Sequence, residues 1–374
     1  MIQRKKNGNG TDVTLAMLRK AERDDWQFWF DHAPVASFFQ SPDWAEVWSE
    51  YTRGKFQPYP CFARLPSGRE VLIPLSRQKI LFGLGAQWHA APAGTYGTWL
   101  SKTADPLAPG DIQALLQGLF SYCGSLTIRW FPLMGIPDEG QPKLTDGSEW
   151  NRPTDLKSIA GQPEFLKLRA DMSSDHTRVI DCSGGFSAIT ETKKWRKGIR
   201  PKVNKATRAG VTVRRASSEN DWQTYYRLYL ASANRWDPPP SYIYSWRFFK
   251  ILSEVRASDL WIAERDGRIA AGAILLHGRN HTAYWHGASD TAEQRTRAAN
   301  LLFAKIIEDT CKKGQRWFDF NPNMGISGVD AFKKSFGALA LDAPVISRFY
   351  GTSCLIRVLK KYQTDTTSGK TRKS

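Results

Sequence analysis

The chain lacks any run of about 20 apolar residues, so no spanning helix is expected. Its first residues, MIQRKKNGNGTDVT, are basic, but no apolar stretch follows them, which argues against an export signal. Cysteine is scarce: Cys61, Cys123, Cys182, Cys311 and Cys354 are odd in number, scattered and without a CxxC pair. That spacing offers neither a disulfide framework nor a zinc site, and reduced thiols in a cytoplasmic protein are the expectation. His277 and His281 flank a Gly-Arg-Asn turn, but a third metal ligand is missing, so no metal is expected. No Ser-His-Asp or Cys-His spacing stands out, which disfavours a covalent intermediate. Acidic residues are few, 36 Asp and Glu against 53 Lys and Arg, for a net charge of +17. The excess favours anionic partners, namely RNA, an anionic lipid surface or a small ligand bearing phosphates. No recognisable RNA-binding module accompanies it.

What is present suffices for two domains: 374 residues, of which 41% are hydrophobic. The polar segment from Pro137 to Asp175 reads as a long excursion between two folded halves, and QTDTTSGKTRKS as a frayed tail. The halves share an order of elements. CFARLPSGREVLIPLSR and LWIAERDGRIAAGAILLHG are both hairpins, with turns at Ser67-Gly68 and Asp266-Gly267. Each half then has a helix, a glycine and an aromatic strand: ALLQGLFSYCGSLTIRWFP in the first, LLFAKIIEDTCKKGQRWFDFNP in the second. Leu302, Phe303, Ile306, Ile307 and Thr310 form one apolar stripe while Lys305, Glu308 and Lys312 stay wet. Gly314 ends that helix, and Thr282 to Ala288 alternates as a strand in front of it. The expected fold is α+β, two tandem units each made of a mixed sheet flanked by helices. Fifteen tryptophans are assigned chiefly to the cores.

Between that strand and helix lies SDTAEQRTRAAN. A loop that opens a helix after a strand is an anion site, and Gln294, Arg295 and Arg297 stand in it. The order of parts resembles the GNAT acyltransferase superfamily, whose pyrophosphate loop for coenzyme A reads Gln/Arg-x-x-Gly-x-Gly/Ala. Gln294 and Ala299 fit its first and last places, and Arg297 stands where the family has glycine. The stretch WFDFNPNMGISGVDAFKKSFG resembles the FemAB-like (also CelD-like) branch of that superfamily, through Gly314, Phe318-Asp319-Phe320, Gly328, Phe332-Lys333 and Phe336-Gly337. Upstream, KKWRKGIRPKVNKATRAGVTVRR resembles the same branch's Arg-rich helical entry at Arg196, Ile199, Lys205, Ala206, Ala209, Gly210 and Val211. A helix start or kink is expected at Pro201, with Gly210 as the stop. FFQSPDWAEVW looks like the family's first helix.

The resemblance implies two GNAT-like domains with a substrate cleft between them, and transfer of an acyl or aminoacyl group to an amine. Units are expected at 1–175 and 176–352, followed by a C-terminal helix and disordered tail at 353–374. The donor is an acyl-CoA thioester or aminoacyl-tRNA, with no tightly bound cofactor. The acceptor is expected to be an amine of a cell-envelope or polysaccharide precursor. Two alternatives stand beside this: tRNA-dependent extension of peptidoglycan precursor peptides, and a non-catalytic basic module that docks RNA or touches an anionic membrane. Lys193, Lys194, Arg196, Lys197, Arg200, Lys202, Lys205 and Arg208 form a run of eight cations without an acid, and Arg196, Arg200 and Lys205 are expected to contact phosphate. Lys333 is expected to neutralise a phosphate or an oxyanion. Asp319 and His286 are the candidate bases or carbonyl-polarising groups, with His286 and Tyr284 on one strand face. Asn321 and Asn323 are expected to turn the chain so that main-chain groups and Lys333 meet the substrate.

Overall fold

The computed structural model describes residues 16–80, 85–134, 168–235, 242–322 and 327–349. The chain divides into two compact units, each discontinuous in sequence. Unit 1 takes residues up to Ala33, Thr52–Ser173 and the chain from Pro344 onward; unit 2 takes Pro34–Tyr51 and Ser174–Ala343. The contiguous division expected at 175 is therefore replaced by an exchange of two segments. Most of the expected excursion, the C-terminal helix and tail, Cys354 and Asn323 lie outside the described residues.

In unit 1, β1 (Met17–Lys20), β3 (Cys61–Arg64) and β4 (Glu70–Ile73) form a three-stranded sheet beside helix α1 (Arg23–His32). A six-stranded sheet runs β2 (Phe56–Pro58), β5 (Ser76–Ile80), β6 (Gly85–His89), β7 (Leu126–Arg129), β16 (Val345–Arg348), β8 (Asp171–Ser173). Helix α3 (Pro109–Cys123) crosses from β6 to β7, which are parallel. Its Ile112, Leu115, Leu116, Leu119 and Phe120 are buried, so one face of the helix supplies the core against Leu126 and Ile128. The expected hairpin at Ser67-Gly68 is present, with Gly68 at φ +85°. It belongs to the small sheet, however, and is not the counterpart of the second hairpin.

In unit 2 one seven-stranded sheet runs β10 (Thr212–Arg215), β11 (Ser258–Arg265), β12 (Arg268–His277), β13 (His281–Ser289), β14 (Trp317–Asp319), β9 (His176–Asp181), β15 (Leu339–Asp342). The β11–β12 turn places Asp266 at φ +51° and Gly267 at +74°, the pair of left-handed residues that a tight, twist-matched hairpin needs. One face of the sheet is covered by α4 (Gly185–Glu191), α5 (Arg200–Arg208) and α8 (Ala298–Lys312), with Leu302, Phe303, Ile306 and Ile307 buried. On the other side stand α6 (Glu219–Ala233) and α7 (Trp246–Glu254), whose Tyr225, Tyr229, Phe248 and Phe249 are buried. Helix α2 (Pro42–Tyr51) also belongs here: its Trp44 packs on Trp285 and Phe248. The chain ahead of α2 is pinned where Ala36 pairs with Arg279, against Gly278, at which a Cβ would lie 2.1 Å from the Ala36 carbonyl oxygen.

The two main sheets share a core even though their hairpins do not correspond. In each, a strand is parallel to the next across a crossover helix, and that next strand then pairs antiparallel with a strand from a distant part of the sequence: β6-α3-β7 with β16, and β13-α8-β14 with β9. The fold is α+β, two units each built on a mixed sheet flanked by helices.

Candidate functional site

Strands β13 and β14 are in register only at His281–Trp317, Thr282–Phe318 and Ala283–Asp319. Beyond Ala283, β14 ends and β13 continues to Ser289 without a strand partner on that side among the described residues. Two residues past Ala283, Trp285 is inserted as a bulge: Leu275 pairs with Tyr284 and Ile274 with His286. A bulge reverses the side-chain alternation that follows it. Tyr284 therefore packs on Phe303 and Phe320 beneath α8, while His286 lies among Tyr225, Tyr229 and Phe249 on the opposite face. The expectation that His286 and Tyr284 share a face is corrected by this single extra residue.

His286 Nδ1 is 2.7 Å from the Tyr225 hydroxyl, and Gly272 leaves the space through which Tyr225 reaches it. Burial lowers the imidazole to about 4. The ring is thus neutral near pH 7 and a weak proton acceptor.

After β13 the chain makes a short 3₁₀ turn at Gln294–Thr296, and Arg297, at φ +67°, opens α8. The family's glycine position accepts left-handed backbone without strain, and here an arginine adopts the same conformation. Gln294, Arg295 and Arg297 are exposed around this helix start, where N–H groups and the helix dipole favour an anion. Asn300, one turn into α8, is 6% exposed and its amide nitrogen has no partner among the described residues. Sequence reasoning did not single it out, because an asparagine inside a helix carries no distinctive spacing. In unit 1 the equivalent helix start is filled: α3 begins at Pro109, and the carboxylate of Asp111 accepts from Ser67 N at 3.1 Å and Ser67 Oγ at 2.6 Å. A negative side chain already stands at that dipole end, whereas the α8 start in unit 2 carries none.

At the end of β14, Asp319 is fully buried and takes Thr177 Oγ1 at 2.5 Å, Asn321 N at 2.7 Å and His281 Nε2 at 3.1 Å. The bond to Asn321 N two residues on holds Asn321 at φ +58°. Asn321 Nδ2 then donates to Tyr284 O at 2.9 Å, and its own carbonyl accepts from Lys333 Nζ at 2.5 Å. Asp319 meets protein groups on every side described here, so a direct role as the base for a substrate amine is replaced by a positioning role. Lys333, on α9 (Ser327–Ser335), is 3% exposed. Burial lowers its ammonium to about 8 against the opposing pull of Asp319, Asp330 and Asp175. Helix α9 is itself tied to β9 by the Arg178–Asp330 ion pair at 2.7 Å. Thr177 and His281 were missed in the sequence, since only the strand pairing brings them to Asp319.

Arg196 and Lys197 lie on a π turn, Trp195–Ile199, that runs into α5, where Arg200 is the first residue. Pro201 has no N–H to give, and the widened turn absorbs its ring. Gly210, at φ +77°, ends α5, with Val211 N returning to Ala206 O. Trp195 and Ile199 point inward, whereas Arg196, Arg200 and Lys205 are exposed. The predicted residues thus fall into four places: the α8 loop, the Asp319–Asn321–Lys333 cluster, His286 with Tyr225, and the α5 cations. No group of three metal-binding side chains occurs among the described residues.

The Acetyltransferase (GNAT) domain family matches residues 193–334. No curated protein matches the chain. Among solved structures, FemX is similar at 13% identity and TM-score 0.63, with 91% of this chain and 99% of FemX covered. L-PGS from Bacillus licheniformis is similar at 10% identity and 0.53, covering 93% of this chain and 98% of its own. A tandem GNAT protein from the clavulanic acid biosynthesis pathway is similar at 13% identity and 0.50, covering 90% and 99%. Identities this low show a shared fold. Residues 193–334 accordingly match the GNAT acetyltransferase domain family, in a chain that shares its fold with FemX and a tandem GNAT protein.

Proposed function

We propose that the protein is an N-acyltransferase that moves an acyl group from an acyl-CoA type donor to an amine of a cell-envelope or polysaccharide precursor, acting in the cytoplasm. The observation that carries this reading is the run from the parted strands β13 and β14 into a left-handed Arg297 that opens α8. Past Ala283 β13 has no strand partner on that side among the described residues, so backbone groups beyond Tyr284 O and His286 O can meet a pantetheine-like chain, and the helix start its pyrophosphate. The amine lone pair attacks the thioester carbonyl, a C–N bond forms, the C–S bond breaks, and the nitrogen's proton leaves with the thiolate as free thiol. With His286 lowered to about 4 and Asp319 sealed, that proton moves through water or directly to sulfur. One of the three Lys333 protons has a described acceptor; the other two can meet phosphate or a developing oxyanion.

Thermal shift and calorimetry with acetyl-coenzyme A, uncharged tRNA and UDP-sugars at two salt concentrations test this. A saturable response to acetyl-coenzyme A, weakened by Ala299→Asp at the helix start, is expected. A response to tRNA alone would assign an aminoacyl-tRNA donor instead, and salt-sensitive binding of any polyanion alone would indicate a docking module.

A further inference from the structure

Elsewhere in unit 2 many cations are matched within the protein: Arg214 with Asp221 and Glu264, Arg215 with Asp309, Arg265 with Glu293, Lys305 and Lys312 with Glu308. The π turn and α5 differ. Lys193, Arg196, Lys197, Arg200, Lys205 and Arg208 are exposed and make no ion pair among the described residues. The inward side of the same segment, Trp195, Ile199 and Ala206, is locked into the core, so the cations are held on a rigid helical face. Without these six residues the remainder of unit 2 is close to charge balance. The run is therefore the densest part of the unit's excess positive charge, open to an anion from outside the unit.

We propose that this face docks on an anionic lipid surface. Its one tryptophan is 3% exposed, so no aromatic ring is offered to a nucleobase. Five of the eight cations are lysines, compact hydrated charges that suit a fluid layer of headgroups better than the fixed geometry of a bidentate phosphate. No helix among the described residues is long and apolar enough to cross a membrane, so the contact is peripheral and electrostatic. The inference goes beyond the acyltransferase reading, and vesicle binding is measured without turnover, so either can fail alone.

Co-sedimentation with vesicles of phosphatidylglycerol in phosphatidylcholine, and of phosphatidylcholine alone, tests it. Binding only to the anionic vesicles, falling steeply between low and high salt, is expected. The triple substitution Lys193→Gln, Lys197→Gln, Arg208→Gln should lower partitioning about 100-fold, at roughly fivefold per cation near the surface. Should the triple variant fail to fold, lysine acetylation of the wild-type protein gives the same information: vesicles should protect Lys197 and Lys205 but not Lys305. Equal binding to both vesicle types, unchanged binding by the triple variant, acetylation that vesicles leave untouched, or a preference for tRNA over anionic vesicles at the same salt would each overturn the proposal.

Discussion

Replacing Asp319 by alanine is the most demanding perturbation of unit 2, because one carboxylate joins four elements. It accepts from β9 through Thr177, from β13 through His281 and from its own chain at Asn321, and its charge opposes the desolvation of Lys333 on α9. Alanine leaves buried donors without an acceptor, at about 1–3 kcal/mol for each that finds no water. It also removes the counter-charge of a buried ammonium, and breaking such a pair costs roughly 3–5 kcal/mol. Lys333 can escape part of that by releasing its proton, so a total of roughly 3–5 kcal/mol is expected. Asp319→Asn keeps the shape and one acceptor while turning an N–H toward a former donor, and should cost about 2 kcal/mol. Urea unfolding at pH 7.5, with the slope unchanged, measures both. A loss below 1 kcal/mol for alanine, or asparagine as harmful as alanine, would refute the account of Asp319 as a charged hub.

Lys333→Met gives a pH-dependent test. The unfolded chain keeps this proton up to about 10.5 and the folded one releases it near 8, so between those values the unfolded state binds more protons and stability rises with pH. The cost of burying the charge, about 3 kcal/mol below pH 8, is absent in the methionine variant, so its advantage over wild type should shrink between pH 8 and 10.5; a constant difference in urea unfolding would contradict this. His89 and His286 are both lowered to about 4 by burial, so stability should fall as pH drops from 6.5 toward 4, less steeply in His286→Gln. Gly272→Ala sets a Cβ 2.5 Å from the Tyr225 ring and should cost about 1–3 kcal/mol, seen as a lower unfolding midpoint. Gly278→Ala sets one against backbone at Ala36, and limited proteolysis should then cut within 34–51, where the wild type resists.

The parts that were legible in the sequence are those fixed by a few consecutive residues. Asp266-Gly267 specifies its hairpin, Pro201 and Gly210 bound α5, and the stripe from Leu302 to Thr310 marks the buried face of α8. Each is local chemistry: a left-handed turn, a missing donor, a 3.6-residue period. What escaped reading depends on pairings between distant strands. Nothing near Val345–Arg348 says that this strand completes the first unit's sheet beside β7, nor that Pro34–Tyr51 belongs to the second unit.

The candidate site shows the same division within a few residues. The turn that opens α8 was legible because it is set by consecutive residues, and even the arginine at the family's glycine position takes left-handed backbone. The bases were not legible. Alternation along TAYWHGA places His286 beside Tyr284 only if the strand is regular, and whether it is regular depends on how β12 pairs with it; the Trp285 bulge turns His286 toward α6 and α7. Asp319 likewise looks like a free carboxylate at a strand end until β9 and β13 bring Thr177 and His281 to it. With both candidate bases removed from direct proton transfer, the groups left to act on a substrate are the α8 helix start, the parted edge of β13 and the Lys333 ammonium. In the proposed reaction the first two would stabilise negative charge, and Lys333 would do so while protonated, below about 8. A catalyst built this way should accept amines already deprotonated in solution, so its rate is expected to rise with pH toward the pKa of the acceptor amine. A plateau set near 4 by His286 would instead restore the imidazole as the base.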